Sequence, residues 1–261
     1  MAYKEKTFRS ENYIEHEILF AGRYGAAGER RGPKKKATPE QIKRQNQRNK
    51  ENRLRRTAQL NFYPNDIWLT LKYPKGMRKS LEKVERDIKK FQDGMRKDYK
   101  LRGEEFKWIK RIEIGKQGGL HAHFIINRIY GSELLIRKNW PYGSYYAAIT
   151  EEGGMEQLIS YICKPIPEEV EQLSMFPIEE INRCAKIGTS RNLKRPEPEV
   201  KEYRRKTVRK KMENIEPEKG FHIDVDSIVR GINPYTGLSY LYYREIRNEV
   251  ITRKIRPPDK E

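Results

Sequence analysis

Gly118-Gly119-Leu120-His121-Ala122-His123-Phe124-Ile125-Ile126-Asn127 carries two of the chain's four histidines. The stretch reads as the outgoing strand of a hairpin. Strand side chains alternate between faces, so His121 and His123 point one way while Leu120, Ala122, Phe124 and Ile126 point the other and can bury. Two imidazoles on one face of an otherwise apolar strand fit a metal site on a sheet. The spacing alone also fits a pair of hydrogen-bonded surface histidines.

The incoming strand runs from Phe106 to Ile114, and the turn between the two is Gly115-Lys116-Gln117-Gly118-Gly119. A three-residue loop of Lys116, Gln117 and Gly118 puts a glycine where such loops need a left-handed residue. The register follows: Gly115 faces Gly119, Glu113 faces His121 and Arg111 faces His123. Ile112 and Ile114 then share the buried face with Leu120, Ala122 and Phe124, which is a check, because a one-residue slip would expose all of them. In this register a carboxylate lands beside two imidazoles. Two histidines and one carboxylate on adjacent strands can hold a divalent ion with open positions, although Glu113 taken alone also fits a cross-strand ion pair with Lys or Arg.

The 261 residues suit one large domain or two small ones. Charged residues make up 36% and the formal net charge is +19, with a mean hydropathy of −0.98. Such a field attracts a polyanion, and nucleic acid is the first expectation. There is no apolar run long enough to span a membrane, and Met1 to Lys6 has no apolar signal segment, so the sequence predicts an intracellular protein without membrane partners. Cys163 and Cys184 have no metal or redox spacing and read as packing residues of a reducing compartment.

Along the chain, Tyr13 to Phe20 predicts a strand and Gly22 to Gly32 a loop. Thr38, Pro39 and Gln41 make a helix start, with Thr38 as N-cap and Gln41 completing a capping box, and the helix should run to about Leu60. Residues 30–56 hold twelve Lys or Arg against two Glu, over half the net charge of the chain. This makes a solvated face or a phosphate-binding helix, and in so basic a chain the second is the expectation, with Lys34, Lys35, Lys36, Arg44, Arg48 and Arg55 as candidate DNA contacts. Ile67 to Tyr73 predicts a central strand closed by Pro74 and Gly76. Leu81, Val84, Ile88, Phe91 and Met95 recur at helical spacing, giving an amphipathic helix over about 80–101. After Asn127 come a loop, a strand from Ser144 to Ile149 and a short helix from Met155 to Cys163 stopped by Pro165 and Pro167. On that helix Gln157, Tyr161 and Lys164 share one face. Arg183 to Arg195 reads as a polar basic loop, with Arg191, Lys194 and Arg195 as further candidate DNA contacts. Lys201 to Lys211 looks helical, and Ile223–Ile228 and Tyr240–Ile246 read as late strands.

The order of apolar strand, helix, Glu113, His121-Ala122-His123 and Tyr161-Ile162-Cys163-Lys164 resembles the HUH endonuclease superfamily. Within it the chain is similar to the single-tyrosine rolling-circle replication initiators of plasmids, phages and small circular DNA viruses. Ile67–Tyr73 looks like the first motif of that family, His121-Ala122-His123 like its histidine–hydrophobic–histidine motif and Tyr161–Lys164 like its tyrosine–two residues–lysine motif. Asn61-Phe62, Trp140-Pro141-Tyr142-Gly143 and Ser190-Arg191-Asn192-Leu193 look like features of bacterial and phage members. The resemblance covers about residues 40–250. It departs at Cys163-Lys164-Pro165-Ile166-Pro167, where many relatives continue differently.

The resemblance implies an α+β fold, a mainly antiparallel ferredoxin-like sheet of about five strands with flanking helices. It implies a core over 61–198, a basic arm and helix over 1–60 and a basic extension over 199–261 packed on the same domain. It further implies a metal-dependent endonuclease and strand transferase acting on single-stranded or melted origin DNA to start rolling-circle replication. Glu113, His121 and His123 would hold Mg²⁺ or Mn²⁺, Tyr161 would be the nucleophile and Lys164 its helper. A host helicase and polymerase, a second copy of the chain and the cytoplasm of a bacterial cell complete the expectation. A transposase or relaxase of the same chemistry, and a basic nucleic-acid-binding protein without catalysis, are the alternatives.

Overall fold

The computed structural model of the chain describes residues 3–21, 38–115, 117–151, 154–165, 176–233 and 237–257. The expected loop over Gly22–Gly32, the lysines Lys34, Lys35, Lys36 and Lys116, and Pro167 lie outside them, as does most of the turn from Asn233 to Gly237. In chain order the elements are β1 (Tyr3–Arg9), β2 (Tyr13–Phe20), α1 (Pro39–Gln59), β3 (Ile67–Leu71), α2 (Leu81–Lys100), β4 (Trp108–Ile114), β5 (Leu120–Ile126), α3 (Ser132–Asn139), β6 (Ser144–Ala148), α4 (Gly154–Cys163), α5 (Ile178–Cys184), β7 (Ile187–Thr189), β8 (Glu199–Tyr203), α6 (Arg205–Glu213), β9 (Phe221–Ile232) and β10 (Ser239–Arg247). The fold class is α+β, with two five-stranded sheets ordered β8-β1-β2-β10-β9 and β6-β3-β5-β4-β7. Every strand pairing is antiparallel. The chain divides into two compact units, Met1–Leu60 with Arg195–Ile251 and Asn61–Lys194 with Thr252–Glu261.

The second unit is built on the histidine strand, with β5 in the middle of its sheet. One face of that sheet carries Leu69, Leu71, Ile112, Leu120, Ala122 and Phe124 into a core with Leu81, Val84, Ile88, Phe91, Met95 and Tyr99 of α2. All six α2 residues are at most 1% exposed. At about 1.5–3 kcal/mol for each fully buried large side chain, this stripe outweighs the weak intrinsic preference of so charged a helix. Phe91 meets Phe124 edge-on at 5.6 Å, tying α2 to the centre of the sheet. Asp66, wholly buried just before β3, accepts from the backbone N–H groups of Tyr63 (2.8 Å) and Arg128 (2.8 Å) and from Arg253 at 2.8 and 3.1 Å. A buried carboxylate survives only with its lone pairs filled in this way.

In the first unit, β1 and β2 join β8, β9 and β10. One face buries Tyr3, Ile18, Leu241 and Tyr243 with Val208 of α6. The other bears Glu15 and Glu17, which receive Arg55 and Arg56 of α1. The helix start at Thr38 is as expected: Gln41 N–H donates to Thr38 Oγ1 (3.3 Å) while Thr38 N–H donates to Gln41 Oε1 (3.0 Å).

Three local expectations are corrected. The helix expected over Lys201–Lys211 begins only at Arg205, because Glu199–Tyr203 is taken by the edge of the sheet and pairs with β1. The loop after Asn127 contains α3, which starts from Gly131 in the left-handed region (φ 74°) and buries Leu135 and Ile136. The basic loop after Arg183 contains β7, whose three residues pair with Ile109–Arg111. In addition, β1 has no counterpart among the expected strands: its buried positions are Tyr3, Glu5 and Thr7, so the alternation does not look apolar.

Candidate active site

The hairpin has the expected register, with Glu113 opposite His121 and Arg111 opposite His123. Gly118 takes the left-handed conformation (φ 74°) that closes the loop, and Gly115 N–H donates to Gly119 O at 2.8 Å. Glu113, His121 and His123 thus share one face, opposite the α2 core. Glu113 Oε2 lies 3.0 Å from His123 Nε2 and 3.6 Å from His121 Nε2.

Tyr161, in the last turn of α4, completes the cluster. Its hydroxyl donates to the same Glu113 oxygen at 2.8 Å and lies 3.5 Å from His123 Nε2. The tyrosine is 40% exposed, so the cluster is open on that side. Helix α4 has one apolar face, burying Met155, Ile159, Ile162 and Cys163. That burial turns Tyr161, one residue before Ile162, to the rim of the sheet.

Two residues without an expected role hold His123. Thr70 Oγ1 is 3.0 Å from His123 Nδ1, and the Trp68 ring stacks on the imidazole with centroids 5.0 Å apart and planes 11° apart. Trp68 also meets Tyr161 edge-on at 6.0 Å. The register of β3 with β5, which sets Thr70 opposite His123, is the signal that could have found them. A tautomer with its proton on Nδ1, donating to Thr70, would turn the Nε2 lone pair toward an ion, which is the usual way an outer partner fixes a ligating imidazole.

The electrostatics follow from this crowding. Burial works against the charge of Glu113, but the closeness of His121, His123 and Tyr161 prevails and holds its carboxyl far below the usual range. Burial lowers the basicity of His123, against the pull of Glu113. Burial and the bond to Glu113 push the Tyr161 phenol up to about 12. An ionised carboxylate beside an imidazole that resists protonation suits a divalent cation.

The donor set fits such an ion. One atom from each of Glu113, His121 and His123 lies within 4.8 Å of the others, and this is the one such group among the described residues. Ligands about 2.1 Å from an octahedral ion sit about 3.0 Å apart along an edge, close to the Glu113–His123 separation.

The other expected site residues are placed as follows. Lys164 is exposed just past the end of α4, and Gln157 is exposed one turn before Tyr161. Arg44 and Arg48 are exposed on α1, with Arg48 5.5 Å over the Tyr242 ring. Arg55 is engaged by Glu15 at 2.8 Å. Arg191, Lys194 and Arg195 are exposed, and the backbone of Lys194 is held at both N–H and C=O by the Asn61 side chain at 2.9 Å.

Residues 66–168 match a family of replication-associated proteins, the one described by its member ORF2. The matched segment begins at Asp66 and contains β3, the histidine hairpin, α4 and Lys164, so every part of the cluster lies inside it. The match supports a replication initiator role. No curated protein and no solved structure matches the chain.

Proposed function

We propose that the chain nicks and rejoins single-stranded DNA through a 5′-phosphotyrosine intermediate and so starts rolling-circle replication of a plasmid, phage or mobile element. The observation that carries this is the Tyr161 hydroxyl, brought from a separate helix to within 2.8 Å of Glu113 on the histidine face. A structural tyrosine needs no such partner set, whereas a phosphoryl-transfer nucleophile must lie beside the groups that organise the phosphate.

Glu113, His121 and His123 would hold Mg²⁺ or Mn²⁺, which would draw charge from a non-bridging oxygen of the scissile phosphate. Tyr161 attacks phosphorus in line. Its oxygen gives up its proton to solvent and forms the new P–O bond, the bond to the 3′ oxygen breaks, and that oxygen departs with the electron pair and takes up a proton from solvent, so one proton is lost and one gained. The reverse step reseals the strand. Trp68 and Thr70 keep His123 fixed while this happens. Lys164, exposed beside the end of α4, supplies positive charge for the phosphate or the phenolate. The exposed Arg44 and Arg48 would neutralise backbone phosphates, and Arg191 and Lys194 would do the same from the loop after β7. The reading places the protein in the bacterial cytoplasm, where a helicase and a polymerase would unwind and copy the nicked strand.

The test is incubation with single-stranded oligonucleotides spanning candidate origins, with Mn²⁺ or Mg²⁺, followed by denaturing electrophoresis. A covalent protein–DNA adduct should form and be absent in Tyr161→Phe and in His121→Ala. Metal-independent, salt-sensitive binding with no adduct on any oligonucleotide would mean that the protein binds nucleic acid without cutting it.

A further inference from the structure

Arg111 stands on β4 two residues before Glu113 and therefore on the same face of the sheet. Its residue is 7% exposed, and among the described residues it makes no ion pair with a carboxylate. Its Nη1 instead donates to the carbonyl of Ile162 at 2.7 Å and to the carbonyl of Lys164, while its Nε is buried without a hydrogen-bond partner. Both acceptors belong to the carbonyl end of α4. That end leaves its last C=O groups without intrahelical partners and carries about half a negative charge. Helix α4 has no basic residue of its own in the last turn, and after Lys164, which is exposed, Pro165 bars any continuation. A guanidinium from the neighbouring strand thus does what a C-terminal lysine or arginine would do within a helix.

We propose that Arg111 is a positioning residue for the strand-transfer step: it clamps the carbonyl end of α4 to the strand that carries Glu113, and so sets where the Tyr161 hydroxyl stands. This rests on the nicking reading given above. Tyr161 is the residue before Ile162, so the clamp holds the nucleophile's own turn. Magnitudes separate this role from simple docking. Met155, Ile159, Ile162 and Cys163 are buried along the length of the helix and hold it in place by apolar burial. Losing Arg111 leaves that burial intact and frees only the final turn. A plain structural arginine would have a carboxylate partner or face solvent, and Arg111 does neither.

The experiment uses the full chain with Arg111→Met, which keeps the stem and removes the donors, and Arg111→Lys, which keeps one charge but not the fork. Single-turnover adduct formation at saturating oligonucleotide should fall on the order of 10²-fold in Arg111→Met, the cost of an ångström-scale misplacement. Mn²⁺ affinity should not fall, because the change removes a positive charge near Glu113, and oligonucleotide affinity should hold. Arg111→Lys should recover part of the rate. Hydrogen exchange read by mass spectrometry should quicken in the peptide covering 159–164 and stay unchanged over 120–126. If Arg111→Met does not fold, the same two measurements on Arg111→Lys decide. Unchanged exchange over 159–164, or an unchanged adduct rate, overturns the proposal while leaving the nicking reading standing. The absence of any adduct from the unaltered protein overturns that reading and this proposal together.

Discussion

His16 of β2 and His123 of β5 occupy matching places. Each lies on the middle strand of a five-stranded antiparallel sheet. Each is buried, 5% and 7% exposed. Each stacks on an aromatic ring, His16 on Tyr243 at 4.4 Å and His123 on Trp68 at 5.0 Å. Each has a glutamate close by, Glu5 at 2.9 Å and Glu113 at 3.0 Å. They differ in where the charges around the ring point. His16 stands between two carboxylates, Glu5 at Nδ1 and Glu245 at Nε2 (3.1 Å), and Lys211 closes on Glu5 at 2.8 Å. Both ring nitrogens have an acid beside them, and those acids lie on opposite sides of the ring. His123 meets a neutral hydroxyl at Nδ1, and its Nε2 turns to the same oxygen of Glu113 that His121 and Tyr161 approach. Convergence of donors on one open point suits a cation, whereas dispersal of acids around a ring closes a buried polar cluster. The residue types alone do not distinguish the two.

The contrast breaks most sharply at His16. Removing the ring leaves the buried carboxylate of Glu5 short of a hydrogen-bonding partner, so His16→Ala should cost at least about 3 kcal/mol in denaturant unfolding followed by far-UV circular dichroism. Divalent-metal affinity should not change. If His16→Ala instead abolished metal binding and left stability alone, the two histidines would have exchanged roles. Acid is the next lever. Burial opposes the charge of Glu5, but hydrogen bonds from His16 and Lys211 prevail and bring its carboxyl down to about 2 from an ordinary 4.5. A depressed acid stabilises the fold above its unfolded pKa, and that stability is lost as pH falls through the folded value. Between pH 4.5 and 2 the protein should therefore lose on the order of 3 kcal/mol through this group. Glu5→Gln should be less stable at pH 6 and should flatten that slope. An unaltered slope would show Glu5 to be unimportant to the cluster.

The two sheets are unequally legible in the sequence. The second can be read because its alternation is clean: Leu120, Ala122, Phe124 and Ile126 are apolar, and Gly118 fixes the loop, so the register and with it Glu113 follow from local rules. Tyr161 needs the family resemblance as well, since no periodicity says that α4 folds over the histidine face. Trp68 and Thr70 are visible only as a strand, because their roles come from pairing with residues more than fifty positions away. The first sheet is hidden by its own chemistry. Its inward positions include Glu5, His16 and Glu245, so buried charge breaks the apolar pattern. Its strands also come from both ends of the chain, and β8 goes to β1 against a local sequence that suggests a helix. Long-range pairing overrides local preference there.

The remaining effects are smaller. All three tryptophans, Trp68, Trp108 and Trp140, lie in the second unit, so their fluorescence reports on the unit that carries Glu113, His121 and His123. Saturating Mn²⁺ at about a hundred times its dissociation constant should raise the stability read by that fluorescence by about 2.7 kcal/mol. Chelation should reverse the gain, and His121→Ala should not show it. A gain that survives in His121→Ala would place the ion elsewhere.

The last difference concerns the helices. Helix α2 buries a full apolar stripe, and its N-cap Ser80 makes no side-chain capping bond. Helix α1 buries only Leu54, Thr57, Ala58 and Gln59 near its C-terminal end, and its first turn is closed by the reciprocal Thr38–Gln41 box. A helix start without apolar support should depend on its cap, and one with it should not. Thr38→Ala should therefore cost about 1 kcal/mol and speed amide exchange in the first turn of α1. Ser80→Ala should change little, because Leu81, the first residue of α2, is fully buried and Val84 1% exposed, anchoring the turn whatever caps it. Equal losses in the two variants would mean that burial does not set the stability of these helix starts. A loss only in Thr38→Ala would mean that the exposed first turns of α1, with Arg44, keep their helical form by capping rather than by apolar burial.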